Sequence, residues 1–364
     1  LLIDSARQYG LITGGPKADV ERCIEILEKG SGSGTNPANR LERTMGKTSI
    51  EWTDFTVNPI RARLGDRVGH YCEKISAGCK NCYASRIQKR FGMPEFAERR
   101  EKSDVRIWFD PHKLHEVTGR KKPTRFFWCD MTDMFGHWIP AGWIDECFKT
   151  MAYTPQHIHQ ILTKRPERMA RIVPEIRSHY PDRLENVHLG VSVEDQATLM
   201  ERWNHLRYCQ AAVYWISYEP ALGPIVLPKG FLDLGKRAWL VCGGESGPKA
   251  RPMHPDWPRA VRDQCVAAGV PFFFKQWGEW APFKQKSEDD LESGDYWLSV
   301  GGMNKVYPSR GRNQRASGAL VPRKCMAHEA HRLTDGKWMV RVGKKRAGRL
   351  LDGRVWDEFP EARQ

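Results

Sequence analysis

From Thr48 onward, short apolar runs rich in β-branched and aromatic residues alternate with longer stretches of helical period. The runs are Ile50–Val57, Arg125–Cys129, Ile158–Leu162, Val187–Val191, Val213–Ser217, Trp239–Cys242 and Phe272–Lys275. Between them lie amphipathic segments at Tyr83–Phe91, Ala141–Met151, Pro166–Ile176, Asp195–Tyr208 and Trp257–Ala268. Pro166 suits a first-turn position and Asp195 an N-cap. Short apolar strands alternating with helices predict an α/β fold whose parallel sheet is buried on both faces. Six or seven such units fit a full or partial (β/α) barrel over residues 45–283 better than two separate domains.

The flanks read differently. Residues 1–44 contain one helical stretch, Val20–Lys29, followed by the Gly- and Ser-rich linker Gly30–Pro37. Met45 reads as the natural start, which makes residues 1–44 a separable extension or fusion remnant. Beyond Trp280 the alternation fades, and residues 284–364 form a basic C-terminal segment. Within it, Trp338–Arg349 is expected to fold as a short β-hairpin with a basic turn.

Polar residues recur just beyond the strands. Asp130 and Asp133 follow Cys129, and Lys164 follows Leu162. Ser192 and Glu194 follow Val191, Ser217 and Glu219 follow Ile216, Gly243-Gly244-Glu245 follow Cys242, and Lys275 follows Phe274. Barrels build their sites at the C-terminal ends of the strands, so this repetition predicts a functional rim. Strand ends are wet in any fold, and one such residue alone would mean little.

Composition narrows the class. A mean hydropathy of −0.60 and 28% charged residues describe a globular chain, and no apolar run reaches the length of a membrane span. No secretory signal is visible, so the cytoplasm is the expected location. The ten cysteines do not form the framework of a small secreted domain, and several, such as Cys129 and Cys242, lie inside apolar runs as small hydrophobes. The formal charge of +14 points to an anionic partner, with nucleic acid or a nucleotide first.

One group of cysteines asks for chemistry. Cys72, Cys79 and Cys82 are spaced C-x6-C-x2-C between the first strand and the helix at Tyr83. Thiolates at that density repel unless a cation holds them. Three thiolates can carry a [4Fe–4S] cluster with one iron open to a ligand. The alternative is a zinc ion with His70 as fourth ligand, stapling a basic nucleic-acid-binding protein without catalysis. Position at the rim favours the cluster.

Several stretches carry a family resemblance. Met45–Thr53, Cys72–Tyr83, Leu162–Pro166, Gly190–Glu194, Gly243–Gly247, Phe272–Gly278 and Gly348–Arg354 resemble a phage- and prophage-encoded three-cysteine-motif family of uncharacterised function. More distantly, the barrel with a three-cysteine loop after its first strand is similar to radical S-adenosylmethionine (AdoMet) enzymes. That resemblance implies an iron–sulfur, AdoMet-dependent enzyme; with the basic charge, the expected substrate is a nucleic acid or nucleotide to be modified or repaired, with an electron donor or partner protein. It implies Cys72, Cys79 and Cys82 as cluster ligands. Asp130, Asp133, Ser192, Glu194, Ser217, Gly243, Gly244 and Glu245 would then bind AdoMet, with Lys164, Glu219 and Lys275 in catalysis. Two features depart from that pattern: the six-residue gap after Cys72, where three is usual, and a Gly-Gly-Glu that follows a late strand rather than the second.

Overall fold

The computed structural model describes residues 48–90, 92–93, 96, 105–283 and 330–361, with the backbone of four short strands between Tyr296 and Val321. The extension at residues 1–44 and its linker lie outside the described residues.

Seven parallel strands form the main sheet: β1 (Phe55–Val57), β5 (Arg125–Trp128), β6 (Ile158–Thr163), β7 (Val187–Val193), β8 (Val213–Tyr218), β9 (Ala238–Gly243) and β10 (Phe272–Gln276). They pair in chain order, and β1 does not pair with β10. The sheet is the partial form of the expected barrel. Between β5 and β10 the connections carry α3 (Ala141–Ala152), α4 (Pro166–His179), α5 (Gln196–Leu206) and α6 (Asp256–Ala268). The β1–β5 connection is longer. It holds a three-stranded antiparallel sheet, β2 (Ile60–Leu64), β3 (Arg67–Gly69) and β4 (Arg106–Phe109), together with α1 (Tyr83–Arg90) and α2 (His112–Thr118).

Strand alternation splits the core into two layers. Phe126, Trp128, Tyr214, Ile216, Leu240, Cys242, Phe272 and Phe274 pack in one cluster with apolar residues of the helices, including Phe148, Val173, Trp203 and Val261. Their neighbours Phe127, Val213, Trp215, Trp239, Val241 and Phe273 form a second cluster with Trp52. Edge-on aromatic contacts bind that second layer, with ring centroids 5.1 Å apart for Trp52–Trp215 and 4.8 Å for Trp52–Phe127. This layer lies on the sheet face opposite the helices.

Local signals behave as their chemistry requires. Pro166 opens α4. Asp195 caps α5: its Oδ1 accepts from the Thr198 amide at 2.9 Å, and the Thr198 hydroxyl accepts from the Asp195 amide at 3.1 Å. α6 stops on Gly269, whose φ of 67° is left-handed.

Two expectations are corrected. The run Ile50–Val57 is strand only from Phe55, because the Thr48 hydroxyl accepts from the Ile50 amide and the Thr53 amide turns back onto the Ile50 carbonyl. The Trp338–Arg349 hairpin is half right. Trp338–Arg341 is a strand, paired with Trp280–Phe283 and Ala330–Arg332, but Lys344–Ala347 is a helical turn. Gly343 and Gly348, with φ of 86° and 71°, bound that turn and break the strand.

Part of the basic C-terminal segment belongs to the barrel. Val340, Val342, Ala347 and Leu351 join the larger core. Residues 356–359 then run along β10: the Phe274 amide donates to the Trp356 carbonyl at 2.9 Å, and the Glu358 amide donates to Phe272 at 3.2 Å. Phe359 packs on Trp239, with centroids 5.5 Å apart, and lies under the Arg125 guanidinium at 4.4 Å. Among the described residues no helix is long and apolar enough to cross a membrane.

Candidate metal centre

The cysteine loop leaves β3 and ends at α1. Cys72 is held between two buried neighbours: the Tyr71 hydroxyl donates to Glu73 Oε1 at 2.8 Å, and Glu73 faces Arg165 at 3.5 Å. Cys79 closes the 3₁₀ turn Ala77–Cys79. Cys82 directly precedes α1, and its carbonyl accepts from the Arg86 amide at 3.3 Å. All three are free thiols. Burial pushes the Cys72 thiol up, Asp133 adds to this, Arg165 opposes it, and Cys82 and Cys79 push up again. A cation set among the sulfurs would turn that mutual repulsion into attraction.

Two buried carboxylates clasp the loop to the rim. At the end of β7, Glu194 accepts from the Ser76 hydroxyl at 2.7 Å and from Arg202 Nη1 at 3.1 Å, with Lys164 Nζ 3.7 Å away. Gly78 lies so close that a Cβ there would stand 2.7 Å from Glu194 Cγ. Beyond β9, Glu245 accepts from Asn81 Nδ2 at 3.0 Å and from the Arg251 side chain at 2.9 and 2.6 Å. Arg251 also donates to the Ala77 carbonyl at 2.9 Å. Burial tends to raise the Glu245 pKa, but the Arg251 and Asn81 hydrogen bonds outweigh it and hold the carboxyl below its ordinary value.

The other rim residues sort by what their atoms already do. Asp133 has four donors, the Thr163 hydroxyl (2.6 Å), the amides of Phe135 (3.0 Å) and Lys164 (3.0 Å), and Arg165 Nη1 (3.2 Å). Those use the four sites of a carboxylate, so Asp133 shapes the loop after β6. Gly244 serves packing, since a Cβ there would meet the Trp277 carbonyl carbon at 2.6 Å. Lys164 Nζ donates to Ser192 Oγ at 2.7 Å, and Ser192 donates to the Glu219 carbonyl at 3.2 Å. Ser217 pairs in register with Ser192 and Val241. Lys275 Nζ lies 2.6 and 2.9 Å from the two Glu219 oxygens, beside Gly243. Asp130 accepts from Asn58 Nδ2 at 2.5 Å and from the Tyr83 hydroxyl at 3.3 Å. Burial still raises its pKa.

Asn58, Ser76, Asn81, Tyr83, Arg202 and Arg251 were not singled out from sequence. Asn58, Ser76, Asn81 and Tyr83 find their carboxylates 47 to 164 positions away, and Arg251, six residues from Glu245, reaches the Ala77 carbonyl across 174.

The zinc alternative finds less support in the geometry. His70 Nδ1 is 3.0 Å from the Ile60 carbonyl. Burial, with Arg61 nearby, lowers its pKa to about 4 despite that contact. Among the described residues, the three ligand atoms found within 4.8 Å of one another belong to His254, Asp256 and Asp335, away from the cysteine loop in the sequence. Three thiolates can hold a [4Fe–4S] cluster with one iron left open. Cys129, Cys147, Cys209, Cys242 and Cys265 are buried, as apolar packing predicts.

No curated protein matches the chain. Solved structures similar to it include spore photoproduct lyase complexed with dinucleoside spore photoproduct, at 10% identity and a TM-score of 0.39, covering 63% of this chain and 78% of that one. A mutant of the same lyase with bound AdoMet and dinucleoside spore photoproduct has 10% identity and a TM-score of 0.37, covering 82% and 71%. Sequence places the chain more firmly: a family model described as "Protein of unknown function (DUF5131)" matches residues 47–360, and the chain belongs to that family.

Proposed function

We propose that this protein is a cytoplasmic iron–sulfur enzyme that uses AdoMet, by radical-type chemistry, to modify or repair a nucleic acid or nucleotide. One observation carries the reading. Three free thiols lie in a loop that buried carboxylates from two different strand ends fasten to the polar rim of an open parallel barrel. A structural zinc knot has no need of that attachment.

Cys72, Cys79 and Cys82 would hold a [4Fe–4S] cluster, which when bound supplies the electron for reductive cleavage of AdoMet. The chain's own residues then divide the remaining work. Glu194 and Glu245 position the loop through Ser76, Asn81 and Arg251. Asp130, with its raised pKa and its Tyr83 neighbour, is suited to share a proton with the AdoMet ammonium. Lys164 offers a point charge for a carboxylate or phosphate, steadied by Ser192. The Glu219–Lys275 pair next to Gly243 gives one donor and one acceptor for a ribose or base. The formal charge of +14 supports the anionic substrate.

The test is metal and product analysis on anaerobically purified protein. The expected result is about four iron and four sulfide per chain, a brown charge-transfer absorption lost in Cys79→Ala, and 5′-deoxyadenosine release under reductant. Stoichiometric zinc in a colourless preparation would overturn the proposal.

A further inference from the structure

We propose that the outer face of the β2–β3–β4 sheet is a landing surface for a single strand of nucleic acid, with Arg63 and Arg106 on phosphates and Trp108 under a base. This rests on the reading that the substrate is a nucleic acid, and it specifies the form in which that substrate arrives.

The sheet has two unlike faces. Ile60 and Ala62 are buried in the main core, and Ile107 and Phe109 pack against it. Phe109 also stacks on Trp143 of α3, with centroids 5.8 Å apart. The two-residue alternation then turns Arg63, Arg106 and Trp108 outward. Arg63 and Arg106 stand directly opposite each other in the β2–β4 register, and both are exposed. Like charges paired across strands are destabilising, and among the described residues neither forms an ion pair. Arg63 has an aromatic neighbour on this face: its guanidinium lies 5.5 Å from the centre of the half-buried Trp108 ring.

Two guanidinium forks beside a flat indole match alternating phosphates and bases. They match an acidic peptide less well, because carboxylates make no use of the ring. A base can stack on Trp108 only when it is not already stacked in a duplex, which favours a single strand. Location completes the argument. β3 ends at Gly69, three residues before Cys72, so at most roughly 11 Å of chain separates this surface from the first thiol.

The test is anisotropy titration of a fluorescein-labelled oligothymidylate of about 12 nucleotides against the full chain, without AdoMet or reductant. Arg63→Glu with Arg106→Glu should weaken binding at least tenfold and flatten the log–log salt dependence by about 1.4, or about 0.7 for either residue changed alone. Trp108→Ala should weaken it several-fold or more, and Trp108→Phe should restore most of the loss. Arg106→Gln, the mildest change, gives the same reading if the double reversal does not fold. Parental affinity and salt slope in the charge variants would overturn the proposal. So would competition by polyglutamate as effective as by unlabelled oligonucleotide, or equal affinity for duplex. Because no cluster chemistry enters the readout, failure of the radical reading would leave these titrations unchanged.

Discussion

Glu194 occupies the space that a side chain on Gly78 would need: a Cβ at position 78 would lie 2.7 Å from Glu194 Cγ and 2.9 Å from its Cδ. The carboxylate has little freedom to yield, since Arg202 and Ser76 hold its two oxygens. Gly78→Ala should therefore destabilise the protein by about 1–3 kcal/mol and lower the iron content after reconstitution. Gly142→Ala is the control, because nothing lies within 4 Å of its Cβ direction and the residue is helical. Denaturant unfolding and iron analysis on both variants check this, and equal behaviour of the two would refute it.

The second clasp should show itself through pH. Glu245 has a folded pKa below the 4.5 of the free carboxyl. A depressed pKa contributes stability that is fully present above the unfolded value and is lost as pH falls through the folded one. Glu245→Gln should thus lower the melting temperature at pH 7, with the deficit shrinking as pH drops below about 4.5. A deficit that stays constant from pH 7 to pH 3 would show that the ionised carboxylate is not what matters.

Glu219 and Lys275 can be separated from the clasps by a double-mutant cycle. Each side chain is mostly buried, at 19% and 13% exposure, so removing one leaves the other charge poorly compensated. Glu219→Gln and Lys275→Met should each destabilise, and the double variant should lose less than the sum by about 0.5–3 kcal/mol. Urea unfolding of the four proteins measures the coupling; a value within error of zero would mean the pair contributes no mutual stability.

Phe359 offers a test of the barrel floor. It packs on both Trp239 and Phe273 but is only partly buried. Phe359→Ala should cost about 2–3 kcal/mol, at or below the low end of the range for a fully buried phenylalanine. Phe359→Leu should recover part of the loss. Thermal unfolding compares them, and a silent Phe359→Ala would show that the floor is complete without it.

The parallel strands were legible because most are apolar on both faces, as in Val213–Ser217 and Trp239–Cys242, and a parallel sheet covered on both sides buries such runs. The rim was legible in outline, since Lys164, Glu194, Glu219, Glu245 and Lys275 interrupt those runs at one end. Their division of labour was not. Glu194 and Glu245 read like Glu219 in sequence, yet their oxygens are taken up by Ser76, Asn81, Arg202 and Arg251, and only the folded chain brings Ser76 and Asn81 near. The small antiparallel sheet was missed for a similar reason. Arg61 and Arg63 alternate with apolar residues over one short strand, and the partner β4 begins at Arg106, beyond the whole cysteine loop.

The tail along β10 also has a consequence in time. Phe359 follows Phe273 by 86 positions, yet the two share one cluster under the sheet. At a synthesis rate of roughly 5–20 residues per second, the ribosome would add the intervening chain over about 4–17 s. During that interval the aromatic layer and the outer edge of β10 stand uncovered on the nascent protein, exposed to other strands and to chaperones.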